Sequence, residues 1–191
     1  MNRARVAAVI VAAGSGTRAG ATGEPPKQYR RLAGRSLLAH TLEVFLAHPG
    51  IATVLTVINP DHDARWRAAR AELADPSRLA EPVAGGATRQ ASVAAGLEAL
   101  AAMAEPPDLV LVHDAARPLA EPALFEAALA ELEASGADGV IAAAPVIDTT
   151  KRAFVDGTVS ETLLRDELWA VQTPQVFRRA ALERALDVPE R

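Results

Sequence analysis

A chain of 191 residues, half of them hydrophobic and 23% charged, has room for one sizeable core and is neither disordered nor fibrous in composition. Aromatics make up only 4%, so that core must be built from Ala, Val, Leu and Ile; with no cysteine, disulfides, thiolate catalysis and Cys-ligated metals are excluded together, which suits a reducing cytoplasm. The formal charge of −4 speaks against non-specific nucleic-acid binding, although basic residues that converge locally can still meet a polyanion.

The first apolar run, "VAAVIVAA" (6–13), has strand character and is the longest in the chain, yet far too short to cross a bilayer. No basic-then-apolar signal precedes a cleavage site. The loop that follows contains Gly14 and Gly16, where the backbone can turn sharply and approach a ligand. Gly14, Gly16 and Ala19 satisfy the degenerate dinucleotide fingerprint G-x-G-x-x-[GA]. Two features argue against that reading. The segment "TRAGATGEPPKQY" is too rich in Gly and Pro to be the long helix the fingerprint requires. The acidic residue expected about 20 residues further on is missing. No Gly-Lys-Ser/Thr occurs either, so the loop is not a Walker A motif. What remains is a long loop delivering Arg18 and Lys27 beside an open strand end, two cations suited to a polyphosphate under substitution.

Helical patterns at 36–48, 63–74, 89–103 and 121–135 alternate with strand-like runs at 51–58 and 108–114 and a weaker one at 139–146. The strands lack in/out alternation, as expected when both faces of a parallel sheet are covered. The pattern predicts a single α/β domain with ligands at the carboxyl ends of the strands. Paired glycines in "GGATRQASVAAG" (85–96) open a helix whose first turn carries Arg89 and Ser92, either an anion site or an ordinary helix entry. In "LVHDAARP" (111–118) a strand ends in Asp114, which suits Mg²⁺ and phosphate, with Arg117 in reach of an anion; alternatively Asp114 caps the next helix and Arg117 pairs at the surface. Residues 148–175 break the rhythm and read as a polar β-rich arm turning at Asp156-Gly157, expected to pack on something else, such as another subunit. Its Thr149, Lys151, Arg152, Arg165 and Thr173 become ligands only if they converge with the pocket. His40, His48, His62 and His113 show no metal-ligand spacing and carry little signal; His113, beside Asp114 on a strand whose neighbours point to opposite faces, reads as structural.

Taken together, "AAGSGTR", "PPKQY", "GGATRQAS", "LVHDAARP", "APVIDTTKR" and "LRDELWAVQTPQVF" resemble the 2-C-methyl-D-erythritol 4-phosphate cytidylyltransferases of the non-mevalonate isoprenoid pathway. The resemblance runs collinearly from residue 6 to about residue 187. It implies transfer of CMP from CTP to the phosphate of methylerythritol phosphate with release of pyrophosphate. It also implies Mg²⁺, a Rossmann-like, mostly parallel sheet flanked by helices, and a homodimer in which each projecting hairpin arm completes the neighbouring site. By position, Arg18 and Lys27 match the family's transition-state-stabilising cations. Ala12, Ala13, Gly14, Gly86 and Ser92 match its cytidine contacts, with Arg89 beside them and with Ser15 and Gly16 in the same loop. Asp114 matches the metal-side carboxylate and Arg117 its neighbour, while Thr149, Arg165 and Thr173 match substrate-phosphate and arm positions. Relatives carry a further block with an Asp and a Lys near "DNIK" towards the C-terminus. This sequence stops at Arg191 before any such block, so the domain is expected to continue past it or to be fused to a second enzyme. The rival readings are a nucleotidylyltransferase for another polyol or sugar phosphate and a non-catalytic nucleotide-binding module.

Overall fold

The fold comes from a computed structural model, which describes residues 4–14 and 24–187. Strand β1 (Val6–Ala12) is followed by a 3-10 turn at Lys27–Tyr29 and a two-residue-per-strand hairpin, β2 (Arg31–Leu32) and β3 (Arg35–Ser36). Next come α1 (Leu37–Ala47), β4 (Ile51–Ile58), α2 (Asp63–Arg70), β5 (Val83–Ala84), α3 (Arg89–Ala101) and β6 (Leu109–Asp114). The second half holds α4 (Pro122–Ser135), β7 (Gly139–Pro145), β8 (Lys151–Ala153), β9 (Val159–Thr162), β10 (Trp169–Arg178) and α5 (Arg179–Leu186). Local chemistry sets several of these limits. The Ser36 side chain accepts from the Ala39 N–H at the start of α1, Pro122 occupies the first turn of α4, and Gly136, with φ of 67°, ends that helix in the left-handed region.

The main sheet has the order β5-β4-β1-β6-β10-β7. β1 pairs in parallel with β4 on one side and with β6 on the other, so Val9 lies opposite both Leu55 and Val112. β10 runs antiparallel to both of its neighbours. The missing alternation in the sequence has its explanation here. Ala8 and Ile10 of β1 pack with Leu38, Leu42, Phe45 and Trp66, whereas Ala7 and Val9 pack with Val93, Leu97 and Leu100 of α3. Both faces of the strand are core, each large aliphatic side chain contributing about 1.5–3 kcal/mol by burial. From β1 the chain crosses to β4 on one side, and from β5 it returns through α3 to β6 on the other. The carboxyl ends of β1 and β6 therefore flank the topological switch point, where an open α/β sheet accepts a ligand. Among the described residues, no helix is long and apolar enough to cross a membrane.

The segment 148–175 divides differently from the expected single arm. A short exposed hairpin, β8 with β9, turns at Asp156-Gly157, where Gly157 has φ of 86° and the Asp156 carboxylate accepts from the Thr158 N–H. From Trp169 onward the chain joins the main sheet, because Val176 and Phe177 pair opposite Leu111 and Val110 and close the core edge. Polar Gln172, Thr173 and Gln175 around Pro174 mask that strand in the sequence. The short β2, β3 and β5 and helix α5 were likewise not legible, and α2 stops at Arg70 rather than 74.

Leu111 sits fully buried at the middle of β6. Leu111→Ala should cost about 2–5 kcal/mol of unfolding free energy in urea titration, and a loss under about 1 kcal/mol would mean that the core is not centred on this strand.

Candidate active site

The site starts where β1 ends. Ala12 is buried, Ala13 half-buried and Gly14 exposed. A Cβ placed on Gly85, just past β5, would lie 2.3 Å from the Ala13 Cβ and 2.9 Å from the Ser92 Oγ. Only glycine lets the β1 end, the β5 end and the first turn of α3 meet. Gly86 is equally constrained, since its Cβ would lie 2.4 Å from the Ala91 Cβ. Thr88 caps α3 by accepting from the Ala91 N–H at 3.0 Å. The Ser92 hydroxyl is buried and donates to the Thr88 carbonyl at 2.9 Å. Ser92 thus supports this turn from beneath.

From that first turn Arg89 spans to β6. Its Nε and Nη2 donate to Asp114 Oδ1 at 3.3 and 3.2 Å, and Nη2 also reaches Gln175 Oε1 at 3.5 Å. Arg117 takes the other oxygen, Nε to Oδ2 at 3.2 Å, while its Nη1 donates to Gln172 Oε1. The Asp114 N–H donates to Thr173 Oγ1 at 3.5 Å. Asp114 therefore does not cap the next helix, whose N-cap is Glu121; the surface-pairing alternative holds for Arg117 only in that its partner is Asp114. Two guanidinium groups around one carboxylate leave a net positive charge at the switch point, which favours an anion. All three side chains are 35–48% exposed, so the ion pairs themselves add little stability.

Lys27 opens the 3-10 turn, exposed, with its ammonium making no hydrogen bond or ion pair among the described residues. Next to it, buried Gln28 donates from Nε2 to the Ala12 carbonyl at 2.7 Å and to the Gly14 carbonyl at 3.0 Å. Ser15, Gly16 and Arg18 lie outside the described residues. Of the arm residues, Thr173 belongs to the site, through β10 and its contact with Asp114. Thr149 and Arg165 are exposed, and the bonds of Arg165 run to the Ile147 carbonyl at 3.2 Å and to Asp166 at 4.0 Å, both local to the arm. Lys151 and Arg152 also find their partners within the hairpin, in Thr162 and Glu161. Sequence reasoning passed over Gln28, Gln172 and Gln175 as site residues. Neutral amides carry no charge signal, although all three lie inside the quoted motif blocks.

Among the described residues, no group of three His, Cys, Asp or Glu could hold a metal ion. Half-exposed Asp114 is the carboxylate that would serve Mg²⁺, a cation that takes few protein carboxylates, but only where phosphate oxygens replace it on the two guanidinium groups that now occupy both its oxygens. His113 does not belong to such a set. It is fully buried, with Nε2 bonded to the Arg117 carbonyl at 3.0 Å and its ring 4.8 Å from that of Phe45.

Burial pushes the His113 pKa below its ordinary 6.5, the Arg117 carbonyl and Asp114 opposing and the Arg117 charge assisting. Unfolding frees the ring to take up a proton, so stability is fully present above pH 6.5 and falls as the pH drops below it. His62 acts in the same direction, chiefly through burial. Between about pH 7.5 and about pH 5.5 the fall in Tm should be smaller in His113→Gln than in the wild type, and an equal fall would remove His113 as its source.

The family model for 2-C-methyl-D-erythritol 4-phosphate cytidylyltransferase (IspD) matches residues 6–191. A bifunctional enzyme IspD/IspF from Nitrobacter hamburgensis is 50% identical over 174 residues, which cover 91% of this chain and 41% of that protein. The 2-C-methyl-D-erythritol 4-phosphate cytidylyltransferase of Dechloromonas aromatica is 49% identical over 181 residues, covering 94% of this chain and 77% of the relative. The crystal structure of the Francisella tularensis cytidylyltransferase superposes with a TM-score of 0.76 at 30% identity, covering 96% of this chain and 76% of that one. The chain thus spans about two fifths of the bifunctional relatives' length. With the family model matched along nearly all of its length and the fold shared, the chain belongs to the 2-C-methyl-D-erythritol 4-phosphate cytidylyltransferase family.

Proposed function

We propose that the protein transfers CMP from CTP to 2-C-methyl-D-erythritol 4-phosphate, releasing pyrophosphate and 4-diphosphocytidyl-2-C-methyl-D-erythritol. The observation that carries the reading is the convergence of Arg89, Asp114 and Arg117 at the switch point, in a family of this activity. The nucleophile is the acceptor's own phosphate. Its second pKa is about 6, so at neutral pH it is mostly a dianion and needs no general base. A site whose nearby histidine is buried and bonded to a backbone carbonyl suits that chemistry. The obstacle is repulsion between two anions. Catalysis then rests on alignment and charge neutralisation, with Lys27 and Arg18 stabilising the in-line transition state at the α-phosphorus. Asp114 would hold Mg²⁺, which when bound supplies further neutralisation of the triphosphate. The Gly85–Gly86 turn and the β1 end form the nucleotide side, and Arg117 with Thr173 lies towards the acceptor.

We further propose a homodimer formed through the arm. The hairpin and its base expose Ile147, Phe154, Val155 and Leu164 at 63–110% of their reference areas, more apolar surface than so small an element can cover by itself. A second copy would cover it and bring its own Thr149 and Arg165 to the site. We assign the enzyme to the cytoplasm, a reducing compartment that suits a sequence without cysteine.

The direct test is pyrophosphate release by the full-length protein with CTP and methylerythritol phosphate, against a panel of other nucleotides and polyol phosphates. Lys27→Ala and Arg18→Ala should each lower kcat on the order of 10²-fold, and near wild-type turnover in Lys27→Ala would sink the mechanism. Arg165→Ala should chiefly raise KM for the acceptor phosphate. Mixed Arg18→Ala and Arg165→Ala subunits should recover part of the activity; no recovery after verified subunit exchange would place each site within one chain.

A further inference from the structure

The turn that carries Lys27 is held from both sides. Pro25 and Pro26 precede it, each with a fixed φ and no N–H. The Tyr29 N–H donates to the Pro26 carbonyl at 2.9 Å and the Arg30 N–H to the Lys27 carbonyl at 3.0 Å. Arg30 Nε closes the loop onto the Pro25 carbonyl at 3.3 Å. On one flank buried Tyr29 sets its ring edge-on to His62, centroids 5.4 Å apart. On the other flank stands Gln28, 5% exposed, whose two amide hydrogens go to the Ala12 and Gly14 carbonyls. Those two acceptors mark the end of β1. Ala12 is its last paired residue, and Gly14 lies beyond the ladder.

A Leu or Met would fill the same space, so packing alone does not call for an amide here. What the amide adds is a fixed distance between two pieces of main chain that are 14 and 16 residues apart in sequence. Lysine's ammonium rides on a flexible four-carbon stem, so its placement is only as good as that of its backbone. We propose that Gln28 is a positioning residue for the transfer reaction, clamping the Lys27 turn to the carboxyl end of β1 and so fixing the Lys27 ammonium relative to the Gly14 backbone. The assignment rests on the catalytic reading of Lys27.

A double-mutant cycle in the full-length protein tests it. Gln28→Met keeps the volume and removes both donors. It should lower kcat by roughly 10- to 100-fold, the scale of a misplacement of about 1 Å, with a smaller change in KM for CTP. In the Lys27→Ala background the same substitution should lower kcat by less than about 2-fold, because the group it positions is gone. Equal losses in the two backgrounds, or an unchanged kcat when Lys27 is present, would overturn the assignment. Full turnover by Lys27→Ala alone would instead show that the catalytic reading of Lys27 had failed, a result visible before the cycle is closed. Thermal melts by circular dichroism establish that each variant is folded. If Gln28→Met does not fold, Gln28→Ala replaces it; if neither folds, Gln28 serves the fold alone and the assignment falls.

Discussion

Everything in this molecule hangs on β1 being buried on both faces and paired on both edges. A strand in that position has no exposed surface to give to a ligand except at its ends. Its parallel neighbours β4 and β6 lie on opposite sides of it, so the carboxyl end of β1 is where the two halves of the sheet part. Site residues come from elements that end at that edge: Gly14 from β1, Gly85 and Gly86 from β5, Arg89 from α3, Asp114 from β6. The geometry of the candidate site is a by-product of where well-packed strands stop.

Electrostatics adds the second layer. Among the described residues, Asp114 is the carboxylate at the switch point, and Arg89 and Arg117 each take one of its oxygens. Because the group is half-exposed, these ion pairs add little to the stability of the fold. Gln172 and Gln175 hold the same guanidinium groups from the β10 side. The guanidinium planes are thus oriented by neutral acceptors that an incoming anion does not repel. Such an arrangement keeps cations in place without cancelling their charge.

Much of this was legible in the sequence. The runs at 6–13, 51–58, 108–114 and 139–146 became strands within a residue of their limits, because continuous apolar runs bounded by turn residues have few other uses. Arg89, Asp114 and Arg117 could be read because charge at a strand end or a helix entry has an obvious chemistry. The places where reading failed share a cause. β10 hides behind "QTPQ", since its middle faces the site and only Val176 and Phe177 face the core. Gln28 hides because its value lies in two main-chain carbonyls distant in sequence. The Ser92 hydroxyl bonds to the Thr88 and Gly86 carbonyls, partners that side-chain types do not announce. Interactions made to backbone leave no pattern in side-chain types.

One strand both roots the arm and furnishes the site. Trp169–Val171 of β10 pair with the outer end of β7, and the next four residues include the contacts to Arg117, Asp114 and Arg89. A slip of one residue along this strand would turn those side chains to the opposite face. An insertion or deletion within β10 would therefore disturb the root of the arm and the candidate site in a single step, whereas the β8–β9 hairpin pairs only with itself.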